Sequence, residues 1–411
     1  MTFVILGATG DLAARKLYPA LSMLDSKVIG ISRRDYSNAQ FRAFVKKNSD
    51  VKPEFLNKLT YFKADLRDKG FLKCLPIIKD PIFYLAVSYE FIPAIIEELK
   101  RYTNAKIVLE KPFGYDLKSS ESLDKSIQKV FPEKGIYRID HYLGKETVQN
   151  LLGLRFSNPV FEAVWNNKFI SHIHIISEEQ LGVENRLEYY DKAGAIKDMV
   201  QSHLLQVASL VLMDSPKTLD PKDVHDMKVK VLRSLKPVAA ITGQYKGYKE
   251  QLRKAGIRST QTETYAEVKL KCTAPRWKGT PIIVKTGKKL RKKQAYIEIE
   301  FKKSICKLYC NPFIRPNRLI FHIQPSQDVN FQMNTLNGKK VEPIEMQFCH
   351  SCAFGSNSVE AYYKLLSDVI KGDMTLFPRS DEIRYAWRIA DSIKRKKPIV
   401  YLADGPKSII H

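Results

Sequence analysis

Through the first third of the chain, apolar runs of four to six residues alternate with stretches of helical spacing. Thr2-Phe3-Val4-Ile5-Leu6 reads as a strand buried on both faces, and a glycine-containing turn leads into a helical pattern through Leu12, Leu17, Leu21 and Leu24. Val28-Ile29-Gly30-Ile31 repeats the strand signal, after which Ser37 and Gln40 form a capping box ahead of Phe41, Phe44 and Val45. Further strands are predicted over 59–64, 82–87 and 106–109, with helices over 91–99 and 119–130. Strands of Val, Ile, Leu and Phe alternating with helices predict an α/β architecture with a parallel, doubly wound sheet over residues 1–140.

From about Asp140 the rhythm changes. Residues 170–176 alternate apolar and polar, and a long helical pattern covers 195–213. Strand patterns over 264–271, 281–285, 295–301 and 318–324 then precede helices over 359–371 and 380–394. Residues 141–411 are therefore expected to form an α+β domain with a large, mainly antiparallel sheet. The segment 326–357 carries the weakest pattern.

Composition narrows the class. At 411 residues the chain exceeds what one core usually serves, so two domains are the default. No run approaches the roughly 18 apolar residues of a membrane helix, and residues 1–10 lack the basic and cleavage features of a signal peptide. Six cysteines are too sparse for a disulfide scaffold, which points to a reducing cytoplasm. A net charge of +24 favours polyanions, but the basic residues are dispersed and no zinc-finger or RNP1 pattern accompanies them. Neither a nucleic-acid nor a membrane partner is expected, and the surplus reads as a solvated Lys-rich surface.

The first strand-to-helix turn is Gly7-Ala8-Thr9-Gly10-Asp11-Leu12-Ala13. Small residues there let the backbone approach a pyrophosphate, and the helix N-terminus offers unpaired N–H groups. Thr9 stands where a strict G-x-G-x-x-G would have its middle glycine, so the motif gains its weight from the surrounding βαβ context. At the end of the second strand the chain reads Ser32-Arg33-Arg34. A ribose 2′-phosphate needs cationic donors where a 2′-hydroxyl needs a carboxylate, so these residues favour NADP, with Asp35 the one contrary signal. A pair of solvated arginines is the plainer alternative.

Three segments carry chemistry-bearing residues: Glu110-Lys111-Pro112-Phe113-Gly114, Arg138-Ile139-Asp140-His141-Tyr142-Leu143-Gly144-Lys145-Glu146, and Asp198-Met199-Val200-Gln201-Ser202-His203. With Gly243-Gln244-Tyr245, Arg276-Trp277, Lys285-Thr286-Gly287-Lys288 and Phe377-Pro378-Arg379-Ser380-Asp381-Glu382, they make the chain resemble the glucose-6-phosphate dehydrogenase family over residues 7–387. The resemblance implies oxidation of glucose 6-phosphate at C1 to the lactone with NADP as hydride acceptor, a Rossmann NADP-binding domain over residues 1–140, and a substrate-binding and oligomerisation domain over 141–411 that makes a homodimer or homotetramer.

Removing a hydroxyl proton while hydride leaves the same carbon requires a general base, and His203 is the residue assigned to it; a core histidine on an apolar helix is the competing reading. The resemblance supplies Asp140 as the carboxylate that steadies this base. His141 and Lys145, four apart, would share one face of a helix and could hold a phosphate dianion, or form a solvated pair. The resemblance implies that His141, Tyr142 and Lys145 grip the 6-phosphate, that Glu179 and Asp198 accept from sugar hydroxyls, and that Lys288 and Lys293 line the sugar pocket. Glu178 leaves the register of Glu179 open by one. Lys111, at a strand end, is similar to the lysine that touches sugar and coenzyme, and Tyr84 to a coenzyme-lining tyrosine. On these grounds the coenzyme set is Gly7, Thr9, Gly10, Asp11, Leu12, Ser32, Arg33, Arg34, Tyr84 and Lys111.

Departures count too. The chain is shorter than most members of the family, and His322 stands where a second, structural NADP site would use an arginine, so that site is not expected. Cys306, Cys310, Cys349 and Cys352 could bind zinc, but their spacing is loose and reduced thiols are the expectation, with no metal assigned. Two other functions compete: a dehydrogenase of unphosphorylated sugars, and a non-catalytic NADP-sensing or polyanion-binding protein.

Overall fold

A computed structural model describes residues 1–76, 78–102, 104–258, 260–303, 314–338, 340–349 and 361–408. Two compact units emerge. The first comprises Met1–Gly144, Thr218–His225 and Val359–Arg384, and the second Lys145–Lys217, Asp226–Ser358 and Tyr385–His411.

The first unit carries β1 (Thr2–Leu6), β2 (Lys27–Ser32), β3 (Leu59–Lys63), β4 (Ile82–Leu85), β5 (Lys106–Leu109) and β6 (Ile136–Arg138). They form one parallel sheet in the order β3-β2-β1-β4-β5-β6, with the strand order reversing beside β1. That reversal opens a crevice at the carboxyl ends of the strands, where ligands of open α/β sheets bind. Phe3 to Leu6 have no exposed surface, as strands covered by helices on both faces require. The capping box predicted from Ser37 and Gln40 forms in both directions, at 3.3 and 2.8 Å, and starts the helix Asn38–Asn48. Asp116 caps the helix Leu117–Gln128 in the same reciprocal way with Ser119.

Two buried ionic contacts tie the later segments into this unit. Arg138, 3 % exposed, closes β6 and donates from Nη1 to Glu133 Oε1 at 2.6 Å and from Nη2 to Asp124; Glu133 Oε1 also accepts from the amide of Ser380 at 3.0 Å. His225 points Nδ1 at Glu382 Oε1 and Nε2 at the carbonyl of Met374, 3.1 Å away. Both ring nitrogens thus face acceptors.

The second unit carries β7 (Ile170–Glu178), β8 (Leu235–Tyr245), β9 (Tyr265–Cys272), β10 (Ile282–Gly287), β11 (Gln294–Phe301), β12 (Arg318–Gln324), β13 (Asp328–Asn337), β14 (Lys340–Cys349) and β15 (Ile399–Tyr401). Their order is β14-β13-β12-β11-β7-β10-β9-β8-β15, antiparallel except for the β7/β10 and β8/β15 pairs. The mainly antiparallel expectation therefore holds. Ile173, Ile175, Ile297, Ile299, Leu319 and Phe321 fill one face, while His172, His174, Glu298, Glu300 and Arg318 stand on the other.

The segment with the weakest sequence pattern holds a hairpin of two ten-residue strands, β13 and β14. Its side chains are exposed on both faces toward the tip, and the alternating Ile344, Met346 and Phe348 of β14 are exposed as well. Cys306, Cys310 and Cys352, and the side chain of Cys349, lie outside the described residues.

Breaking a buried ion pair by removing one partner costs roughly 3–5 kcal/mol. Arg138→Leu strands the Glu133 and Asp124 carboxylates, so denaturant unfolding of this variant is expected to show a loss of about that size.

Candidate active site

Gly7 follows β1 with φ +90°, and a Cβ built on it would lie 2.3 Å from the carbonyl oxygen of Ala86. Only glycine fits there. The amides of Gly7 and Ala8 both donate to the carbonyl of Ile31, at 2.9 and 3.1 Å, and the Gly10 amide donates to Gly7, at 3.0 Å. The turn is thereby drawn in tight against β2, and Thr9 adds a side-chain bond to Ser32 Oγ at 3.0 Å. Gly10 and Asp11 are exposed at its mouth, Leu12 is half-buried, and Asp11 pairs with Arg15 one turn on. This is a cradle that a pyrophosphate fits: a backbone with no side chain in the way and a helix start beside it.

Beyond β2, Ser32 is buried, bonded to Thr9 and, at 2.8 Å, to Tyr61, so it braces the turn. Arg33 and Arg34 are exposed, and Arg34 lies over the rings of Tyr36 and Phe44. Asp35, the contrary signal for NADP, is exposed and pairs with Lys63 at 2.9 Å.

At the carboxyl end of β5, Glu110 accepts hydrogen bonds on Oε1 from the hydroxyls of Tyr84 and, at 3.1 Å, Tyr362. Tyr84 is wholly buried on β4, so its hydroxyl is spent on Glu110. Burial pushes the Glu110 carboxyl up to about 7, against the two tyrosine hydroxyls and Lys111, which pull it down. Lys111 follows directly, half-buried, ahead of a cis peptide to Pro112. Past β6, Asp140 is 1 % exposed and its Oδ1 accepts from the amide of Tyr142 at 2.9 Å.

The helical pairing of His141 with Lys145 needs correction. Residues 141–144 form a single turn, closed by the Gly144 amide on the Asp140 carbonyl at 3.3 Å. Lys145 has extended backbone, φ −75° and ψ 133°, and precedes the helix Glu146–Phe156. The four-residue spacing misled because it sits across a helix start. His141 packs against the ring of Tyr142, itself buried.

In the second unit, Asp198 and His203 lie on a helix that winds as a π-helix over Ile196–Leu204 before tightening to an α-helix over Leu205–Leu212. A five-residue separation places two side chains on one face of a π-helix, whereas on an α-helix they diverge. Both are buried, at 4 % and 1 % exposed. The helix starts where Gly194 turns with φ +71°, and a Cβ there would meet Glu263 Oε1 at 2.6 Å. Glu263 in turn accepts the Ala195 amide on its carbonyl at 2.9 Å and the Ile196 amide on its side chain at 3.1 Å.

Glu179 receives Lys288 Nζ at 2.8 Å, and the ammonium stands 5.3 Å above the ring of Tyr190. Glu178 instead pairs with Lys285, at 2.7 Å, and Gln294, so Glu179 is the carboxylate that meets Lys288. Burial raises the Tyr190 hydroxyl well above its ordinary value, and the charge of Asp198 adds to it. Lys288 is 2 % exposed and its backbone is pinned by Thr264 and by the Tyr401 hydroxyl, which donates to its carbonyl at 2.6 Å. Lys293 is exposed in the loop just before β11.

Comparison with known proteins decides the family. Residues 4–150 match the family described as "Glucose-6-phosphate dehydrogenase, NAD binding domain", and residues 152–406 match "Glucose-6-phosphate dehydrogenase, C-terminal domain". The chain belongs to the glucose-6-phosphate dehydrogenase family. It is 38% identical to the glucose-6-phosphate 1-dehydrogenase of Borreliella burgdorferi over 99% of this chain and 95% of that one. With the Bacillus subtilis enzyme of the same name it shares 36% identity over 95% of this chain and 90% of that one. A solved glucose-6-phosphate dehydrogenase in complex with its substrate glucose-6-phosphate superposes with a TM-score of 0.88 at 29% identity, covering 100% of this chain and 95% of the other. The Mycobacterium avium enzyme gives 0.89 at 29%, covering 98% and 94%.

Within this member of the family, sequence reasoning missed Tyr190, Glu263, Tyr362 and Tyr401. Each reaches its site from a distant segment and carries no local signal. Glu110 was visible beside Lys111 but drew no role.

Two outcomes follow from this geometry. Gly7→Ala forces a side chain onto Ala86, so nucleotide affinity measured by fluorescence titration is expected to fall by about tenfold or more. Glu110 binds its proton more tightly folded, about 7, than at its ordinary 4.5, so stability declines as pH rises from about 4.5 to about 7 and is level above. Denaturant unfolding of Glu110→Gln across that range is expected to lose this slope.

Proposed function

We propose that the chain oxidises D-glucose 6-phosphate at C1 to 6-phospho-D-glucono-1,5-lactone with NADP, the first oxidative step of the pentose phosphate route. The observation that carries the reading is the buried group of the second unit: Asp198 and His203 on one face of a widened helix, with Lys288 held between Glu179 and Tyr190. Such a set suits a polyhydroxylated anion. Carboxylates accept from sugar hydroxyls, the lysine supplies positive charge, and the imidazole can take a proton.

In this proposal His203 removes the O1 proton, and Asp140 supports its cationic form as the carboxylate of the dyad. Glu179, Asp198, Lys288 and Lys293 orient the sugar ring. His141, Tyr142 and Lys145 hold the 6-phosphate through charge-assisted bonds. Residues 1–140 serve the coenzyme and 141–411 the substrate and self-association, with a homodimer or homotetramer in the cytoplasm as the working state.

The coenzyme is held by Gly7, Thr9, Gly10, Asp11 and Leu12 at the pyrophosphate, and by Arg33 and Arg34, with Ser32 behind them, at the 2′-phosphate. Tyr84 acts through Glu110, and Lys111 reaches toward both ligands. When bound, NADP supplies the hydride acceptor. The exposed arginines together with Asp35 paired to Lys63 support NADP over NAD.

Absorbance growth at the reduced-nicotinamide band, with glucose or its 6-phosphate and with either coenzyme, tests the reading. Strong turnover with the phosphorylated sugar and NADP is expected, and equal turnover with glucose would contradict it. His203→Asn is expected to lower kcat by about 10²–10⁴ with little change in coenzyme affinity. Losing charge-assisted bonds worth roughly 1.5–3 kcal/mol, the double variant Arg33→Ala, Arg34→Ala is expected to narrow the NADP/NAD preference by about 10- to 100-fold.

A further inference from the structure

The outward face of the nine-stranded sheet carries a second cluster of ligating side chains, on three adjacent strands. His172 and His174 alternate outward along β7, and the register places His174 opposite Glu298 and His172 opposite Glu300 on β11. Arg318 on β12 stands opposite Glu300. We propose that His172, His174 and Glu298 form a binding site for a divalent transition-metal ion of the zinc type.

Distance supports this. One ligand atom from each of the three residues lies within 4.8 Å of the others. His174 Nδ1 and Glu298 Oε1 are 3.3 Å apart, about the edge length of a tetrahedral site with bonds near 2.0–2.2 Å, so only small side-chain rotations are needed to bring in His172. The two imidazoles already lie close, with ring centroids 4.6 Å apart and planes at 38°.

The donor set selects the metal. Two imidazoles and one carboxylate suit zinc, cobalt or nickel, whereas magnesium and calcium ask for oxygen donors alone. Glu300 is the natural outer partner: its Oε1 is 3.7 Å from His172 Nδ1, while Arg318 grips its Oε2 from Nε at 2.9 Å and Nη2 at 2.7 Å. Arg318 holds Glu298 only loosely, at 3.9 Å, which leaves that carboxylate able to turn to an ion. Ser171 meets His172 Nδ1 at 2.7 Å and can fix its ring orientation as outer-sphere partners do. His172, His174 and Glu298 are 22%, 14% and 14% exposed, so an ion can reach them yet binds largely out of water. A bound ion would cross-link β7 and β11 at the middle of the sheet.

Titrating the full-length reduced protein with Co²⁺ tests the proposal, because cobalt reports its ligands in its spectrum. One saturable Co²⁺ per chain is expected, with visible d–d bands, no thiolate charge-transfer band, and displacement by Zn²⁺. His174→Phe and the isosteric Glu298→Gln are each expected to weaken Co²⁺ by about tenfold or more while dehydrogenase turnover stays near that of the parent. Absence of saturable binding would overturn the proposal. So would binding unchanged in Glu298→Gln, or a thiolate charge-transfer band, which would move the ion to the cysteines.

Discussion

The sugar-facing chemistry proposed for this chain depends on one helix being wound too wide. Over Ile196–Leu204 the chain forms a π-helix, and that winding sets Asp198 and His203 on a common face although five residues separate them. Were the same residues α-helical, one of the pair would turn toward the apolar packing of Leu204, Leu205 and Val207. The wide turns persist because their start is held from outside. Glu263 takes the amides of Ala195 and Ile196, and Gly194 leaves room for its carboxyl. A second short π-helix, Ala13–Leu17, follows the phosphate turn.

Within each unit the buried polar groups are braced rather than scattered. Lys288 is fixed by a carboxylate, an aromatic face and two backbone contacts, one of them from Tyr401 near the far end of the chain. Glu110 is fixed by two tyrosines on different elements. Buried polar groups this well satisfied keep one geometry, which binding a small ligand in a single orientation requires. The same logic explains the buried Arg138 and His225, which join segments far apart in sequence into the first unit.

Much of the coenzyme half was legible because its signals are local. β1, β5 and β12 match their predicted bounds, the Ser37 cap forms as read, and the glycine turn lies where the first strand ends. β6 went unread because three residues, Ile136–Arg138, are too few to show a period. The β13–β14 hairpin was hard to read because its alternating Ile344, Met346 and Phe348 stand exposed among polar neighbours and mark no buried face. In the second unit, Asp198 and His203 lie on the long helix read over 195–213, while Glu179 and Lys288 each stand one residue past the end of a strand, β7 and β10. What stayed illegible was the winding of the helix, since π and α turns share one sequence pattern, and the return of Glu263 and Tyr401 from remote segments. The His141–Lys145 spacing shows the converse hazard: a periodic interval means a shared face only where a helix exists.

The central claim is that His203 is presented to the anomeric hydroxyl by this wide helix. A crystal structure of the chain soaked with glucose 6-phosphate measures it most directly. An imidazole nitrogen of His203 is expected within about 2.6–3.2 Å of O1 of the sugar. A ring turned away from the sugar and packed among Leu204 and Leu205, with an α-helical 196–204, would contradict it.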